Sequence, residues 1–219
     1  AASVGSGSIC RVWVEGSVVT YTVLTAGKTT LGSIANYVNR SDLPIDVILT
    51  ETEAFIYETM RVREMQASEV FTFDEDASSE ALPSGFLDPV HFLPYTWGDY
   101  LPFWALETFV APRDSSGNLF ESTPACWTIE GETAKVDVKC SDDFAGILTY
   151  YDTPAALSSG NTTNFLTRRY PKLLRIAAMA TAFEHAKDSD RAAAYFAGAQ
   201  TLINAANMTN EWYRRGQYA

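Results

Sequence analysis

The sequence predicts an α+β protein, with a helical bundle formed by both ends of the chain, an inserted antiparallel β region and an N-terminal β arm. Three observations carry this reading. Apolar residues recur at helical spacing over residues 45–59 and again after Pro171. Between about Glu69 and Gly146 that spacing disappears, prolines recur and short alternating runs take over. Ahead of both, residues 1–28 are alternating and β-branched. The divisions are therefore 1–28 for the arm, 29–68 for the first part of the bundle, 69–146 for the β region and 147–219 for the second part with a C-terminal tail.

Taken in order, "SICRVWVEGSVVTYTVL" reads as a hairpin around Glu15-Gly16-Ser17, and "TTLGSIANYVNRSD" as a short helix. A long helix follows in "SDLPIDVILTETEAFIYETMRVREM". Ser41 or Asp42 can cap it, Pro44 suits its first turn, and Ile45, Ile48, Leu49, Thr52, Phe55, Ile56 and Thr59 share one face. Within the β region the clearest hairpin is "ACWTIEGETAKVDVKC", where Trp127 and Ile129 face one way and Ala134, Val136 and Val138 repeat at period two. Parity puts Cys140 on the Val136 side and Cys126 opposite Trp127, which argues against pairing them. A helical segment near Thr162 to Arg169 precedes Pro171, which starts a new helix to about Lys187. Ser189 or Asp190 then caps a last helix through Leu202 and Ile203.

Composition bounds the function. At 219 residues, 47% hydrophobic and 13% aromatic, the chain can bury about 70% of its unfolded surface. No apolar run approaches the roughly 20 residues of a membrane helix, and the first residues lack the order of a signal peptide, so a soluble protein is expected. The net charge of -11 is uneven: residues 41–146 hold 21 acidic and 5 basic side chains, residues 147–219 hold 5 and 8. A DNA reader that neutralises phosphates would reverse this balance in its main body. Cys10, Cys126 and Cys140 are an odd set without C-x-x-C spacing or clustered histidines, so they read as reduced thiols and not as a zinc site.

Catalytic motifs fail when tested. "TAGKTT" ends like a phosphate-binding loop, but Thr22 stands where that loop needs its first glycine. There is no G-x-S-x-G and no H-E-x-x-H, and neither His91 nor His185 has a nucleophile at a supporting spacing. "FDEDASSE" lacks the glycine and closing glutamate of a calcium-binding loop and reads as a solvated acidic loop. The sequons at Asn39, Asn161 and Asn207 carry weight only in a secreted protein. No catalytic residue, metal or cofactor is assigned.

The C-terminal 60 residues carry a more specific signal. A tyrosine-rich strand (Leu148 to Tyr151) leads through Pro154, Leu157 and Ser158 to the pair Thr163-Asn164. Tyr170-Pro171 then starts a helix, followed by an acidic turn and a last helix. Upstream stand a long helix ending in Arg61-x-Arg63, the entry "ALPSGFLDPVHF" and the strand "STPACWTIEG". In that order these pieces resemble the head-to-tail adaptor proteins of short-tailed bacteriophages, the family that includes tail tubular protein A. The resemblance implies a non-enzymatic part of the virion neck, assembled in the host cytoplasm. It implies a dodecameric ring between the portal protein and the tail nozzle protein, through which genome DNA passes without sequence recognition.

Three sets of residues are expected to serve such a ring. Arg168, Arg169, Lys172 and Arg175 cluster around a helix start, where the dipole disfavours positive charge, so an acidic neighbour is expected to compensate them as a subunit contact. Some of Asp74, Glu75, Asp76, Glu80, Asp114, Glu130 and Glu132 are expected to line the channel, where a negative wall leaves DNA free to slide. The tail "NMTNEWYRRGQYA" loses its apolar period yet holds Trp212, Tyr213, Arg214, Arg215 and Tyr218, hot-spot residue types expected to order on the portal. A competing class is a secreted or virion-attached β-domain that binds or cleaves glycans, suggested by the aromatic run "PYTWGDYLPFW".

Overall fold

Among the described residues, four helices from Ile45 onward and two antiparallel sheets are built from segments far apart in sequence. The structure, a computed structural model, describes residues 34, 38, 40 and 42–215, the last five as backbone only. The predicted β arm, Cys10 and nearly all of the short helix before Arg40 lie outside the described residues. The chain divides into two compact units: the residues up to Ile56 with Ala155–Ile203, and Tyr57–Pro154 with the chain from Asn204 onward.

In the first unit the helices are α1 (Ile45–Thr59), α2 (Phe165–Arg169), α3 (Pro171–His185) and α4 (Ser189–Arg215), with the ends of α1 and α4 belonging to the second unit. Helix α1 buries Ile48, Leu49, Thr52 and Ile56, but Thr59 is exposed, and Glu53 is buried as well. The first turn differs too. Ile48 N–H donates to Pro44 O, so Pro44 stands just before the helix; both carboxylate oxygens of Asp42 accept from Arg40, which lowers its pKa to about 2, and Ser41 lies outside the described residues. Pro171 opens α3 as expected.

Helix α3 buries Ala177, Ala178, Ala180 and Ala182. Against it, Thr52 donates its hydroxyl to Ile48 O (2.6 Å) and lies 3.2 Å from the Thr181 hydroxyl, so small side chains bring α1 and α3 close. The Phe55 and Phe196 rings meet edge to face at 5.2 Å. Where α3 ends, Lys187 takes a left-handed conformation (φ 60°). Asp188 Oδ1 accepts from Arg191 N, and Asp188 O from Ala192 N, so the cap of α4 is Asp188 and not Ser189 or Asp190.

The second unit holds the strands β1 (Gln66–Phe73), β2 (Ser79–Ala81), β3 (Phe86–Pro94), β4 (Glu121–Ser122), β5 (Trp127–Glu130), β6 (Thr133–Val136), β7 (Lys139–Cys140) and β8 (Phe144–Asp152). One sheet runs β1-β8-β3, antiparallel; the other runs β2-β6-β5; β4 and β7 form a short parallel pair. The β region therefore extends past both expected ends, because β1 pairs with β8 residue by residue from Gln66↔Tyr151 to Phe73↔Phe144. Prolines 89 and 94 are tolerated because β3 is an edge strand. At Gly146 a Cβ would meet Leu93 O at 2.5 Å, so only glycine lets β3 and β8 approach this closely.

The expected hairpin is β5–β6, turning at Gly131 with φ 62°. Its Trp127 joins Phe71, Phe73, Phe92, Val136, Phe144 and Leu148 in one aromatic-rich core. Cys126 and Cys140 are both buried and free, and burial pushes each thiol up to about 11.

Candidate interaction surfaces

The connection between β3 and β4 is where the second unit turns its apolar side chains outward. Ten large hydrophobic side chains are exposed among the described residues, and seven lie between residues 95 and 120: Tyr95, Tyr100, Phe103, Trp104, Leu106, Val110 and Phe120. Such a concentration marks a contact surface, since isolated exposed apolar residues need no explanation but clustered ones do.

This connection is held by hydrogen bonds and packing. Leu101 N donates to Phe92 O, Trp127 N to Pro102 O, and Trp104 N to Trp127 O, which lays residues 101–104 beside β3 and β5. Trp127 Nε1 donates to Leu101 O (3.2 Å), the Thr128 hydroxyl donates to Trp104 O (2.8 Å), and the Phe103 ring meets Trp127 edge-on at 5.1 Å. The latch explains why Phe103 and Trp104 can be exposed yet fixed: Pro102 O and both backbone groups of Trp104 bond to the buried hairpin. Beyond Val110 the chain turns back through Arg113↔Leu119, with Asp114 Oδ1 accepting from Ser116 N and Asn118 N; these bonds hold its carboxyl below the usual range.

The expected basic cluster is partly rearranged. Arg168, Arg169 and Lys172 are exposed, but Arg175 is buried in the first unit and leaves the surface set. Arg168 and Arg169 occupy the last turn of α2, where a helix favours positive charge, and only Lys172 stands in the first turn of α3. The dipole penalty expected for the whole cluster therefore applies to Lys172 alone.

The acidic residues fall at separate turns. Asp74, Glu75 and Asp76 are exposed between β1 and β2, beside Asp143, whose Oδ1 accepts from Glu75 N, and Asp76 pairs with Lys139 at 3.4 Å. Glu130 and Glu132 flank the β5–β6 turn, where Glu130 pairs with Lys135, and half-buried Glu80 lies on β2 opposite Ala134. Among the described residues no group of His, Cys, Asp or Glu is placed to hold a metal ion.

The model of the SU10 adaptor protein family matches residues 21–218. The chain belongs to this family of phage adaptor proteins. No curated protein matches it in sequence.

The adaptor's C-terminal segment differs from a loose tail as far as it is described. Helix α4 continues to Arg215, and its asparagines are clamps: Asn207 Oδ1 accepts from Arg61 N (2.8 Å), Asn207 Nδ2 donates to Thr59 O (2.9 Å), and Asn210 Nδ2 donates to Arg61 O and Tyr151 Oη (3.0 Å each). The residues that weaken helix propensity thus satisfy the backbone where α1 ends. Arg61 completes that end, donating from Nη1 to Tyr57 O and Met60 O and pairing through Nε with Asp88. The side chains of Trp212, Tyr213, Arg214 and Arg215, and all of Tyr218, lie outside the described residues.

Sequence reasoning missed Glu53. Its Oε2 accepts from Leu157 N and its Oε1 from Asn164 Nδ2, both at 2.9 Å. Asn164 in turn caps α2 in a capping box with Thr167. The Asn164 of the adaptor's Thr163-Asn164 pair is thereby given a physical role. The two histidines are engaged structurally: His185 Nε2 lies 2.7 Å from Glu51 Oε2, and His91 packs on Tyr100 with ring centroids 4.4 Å apart.

Proposed function

We propose that this adaptor is the subunit of a ring, dodecameric as in the tail tubular protein A family its motifs resemble, joining the portal to the tail nozzle. The observation that carries the proposal is the family match over residues 21–218. Its role is structural, not catalytic, and genome DNA passes through the ring. Exposed acids favour such passage, because a negative wall repels phosphates and offers no binding minimum along the channel. Asp74 and Glu75, near Asp142 and Asp143, suit that wall best, since Asp76 and Glu130 are paired with lysines and Asp114 is engaged in its own turn. Portal docking falls to the chain beyond Asn210, whose own side chain is committed within the subunit.

The decisive experiment is electron microscopy of the purified protein with and without the portal of the same virion. Rings on the portal, with Asp74 and Glu75 facing the lumen, are expected. Monomers that ignore the portal and bind polysaccharide would favour the glycan-binding class instead, and acids confined to the outer wall would remove the channel argument.

A further inference from the structure

We infer that the aromatic connection 95–120 of one subunit docks on the basic surface of α2 and α3 of a second copy; this rests on the ring reading above. The two surfaces are complementary in charge. The connection 95–120 holds Asp99, Glu107 and Asp114 against Arg113, and residues 153–183 hold no Asp or Glu but expose Arg168, Arg169 and Lys172, Arg175 being buried. Within the connection Asp99 and Glu107 are exposed on either side of the exposed Tyr100, Phe103 and Trp104 in sequence. Aromatic faces flanked by carboxylates suit guanidinium and ammonium groups, which gain from ring quadrupole and charge together.

The size is adequate as well. The seven exposed apolar residues, each about half exposed or more, offer roughly 700 Å² in total, close to the ~800 Å² per partner of a stable protein interface. The connection is already latched to β5, so docking orders little that is not ordered beforehand. Because the two surfaces differ, the contact is heterologous, the type that closes into a ring when each subunit carries both halves.

Charge exchange tests this. Asp99→Lys with Glu107→Lys, and separately Arg168→Glu with Lys172→Glu, are each expected to lower the assembled fraction on portal at least tenfold. The four changes combined in one chain are expected to restore it to within about threefold, a rescue that misfolding would not give. A second measurement replaces Glu107 and Lys172 by cysteine in a Cys10→Ser background and oxidises the assembled protein; a ladder of cross-linked subunits is expected. Normal rings from all variants, rings without the ladder, or a disulfide closed within one chain overturn the inference and leave the adaptor reading standing. Rings that form normally but no longer stay on portal would assign the connection to the portal and also overturn it. Wild-type protein that forms no ring on portal defeats the adaptor reading itself, and the inference with it.

Discussion

Replacing Glu53 by alanine tests the architecture of the first unit at its most exacting point. The side chain is only 3% exposed, and its two oxygens each accept a bond at 2.9 Å, from Leu157 N and Asn164 Nδ2, both on buried residues. Stranding a buried donor costs about 1–3 kcal/mol, and Glu53→Ala strands two. The two losses share one carboxylate and do not add fully, which gives about 3–5 kcal/mol for Glu53→Ala. For a chain of this length that corresponds to a fall in Tm of about 6–20 °C. Glu53→Gln keeps one acceptor but turns an amide N–H₂ toward the other donor, so an intermediate loss is expected. Circular dichroism melting gives the magnitude, and hydrogen exchange at Leu157 N–H, accelerated beyond its neighbours, gives the location. A fall below about 2 °C, or a glutamine variant indistinguishable from wild type, would refute the reasoning.

Other outcomes are equally specific. Lys187→Gly relieves the left-handed φ of 60° at the end of α3 and should raise stability by about 1 kcal/mol, read as a Tm increase of a few degrees. Gly146→Ala puts a methyl against Leu93 O and Pro94 Cα, both backbone, and should cost about 2–4 kcal/mol, measured as a lower urea midpoint at unchanged m. Asn210→Ala removes the donor to Arg61 O and Tyr151 Oη and should cost about 1–2 kcal/mol even after its gain in helix propensity. Removing residues 212–219 leaves both asparagine clamps in place, so it should melt near wild type while losing portal in a pull-down; early melting with normal portal binding would assign that tail to the fold.

What could be read from the sequence depended on how local its cause was. Helix α3 was legible to within two residues because Pro171 and the apolar spacing act within a few turns, and the β5–β6 hairpin because alternation and Gly131 are adjacent. The cap of α4 was misplaced by one or two residues, since Asp188, Ser189 and Asp190 are all competent acceptors and the left-handed Lys187 immediately precedes the one used. Glu53 was illegible because its partners lie 104 and 111 residues away, and Asn207 and Asn210 because their carbonyl partners at Thr59 and Arg61 lie nearly 150 away. For the interaction surfaces, residue type pointed to the aromatic connection, but exposure depends on which backbone bonds hold residues 101–104, and only the fold shows those. Arg175 left the basic surface for the same reason: its spacing matches its neighbours, and its burial does not.

The thiols bear on the life of a neck protein in another way. A part of the virion neck is not remade once assembled, so the state of its thiols is fixed when it folds. Cys126 and Cys140 sit in the second unit as small apolar groups, unjoined and held protonated far above neutral pH. With the thiolate form suppressed and both sulfurs buried, oxidation and exchange are slowed for these two residues. For this pair, a change of redox surroundings is chemically quiet, and the β unit keeps both thiols as they were when it folded.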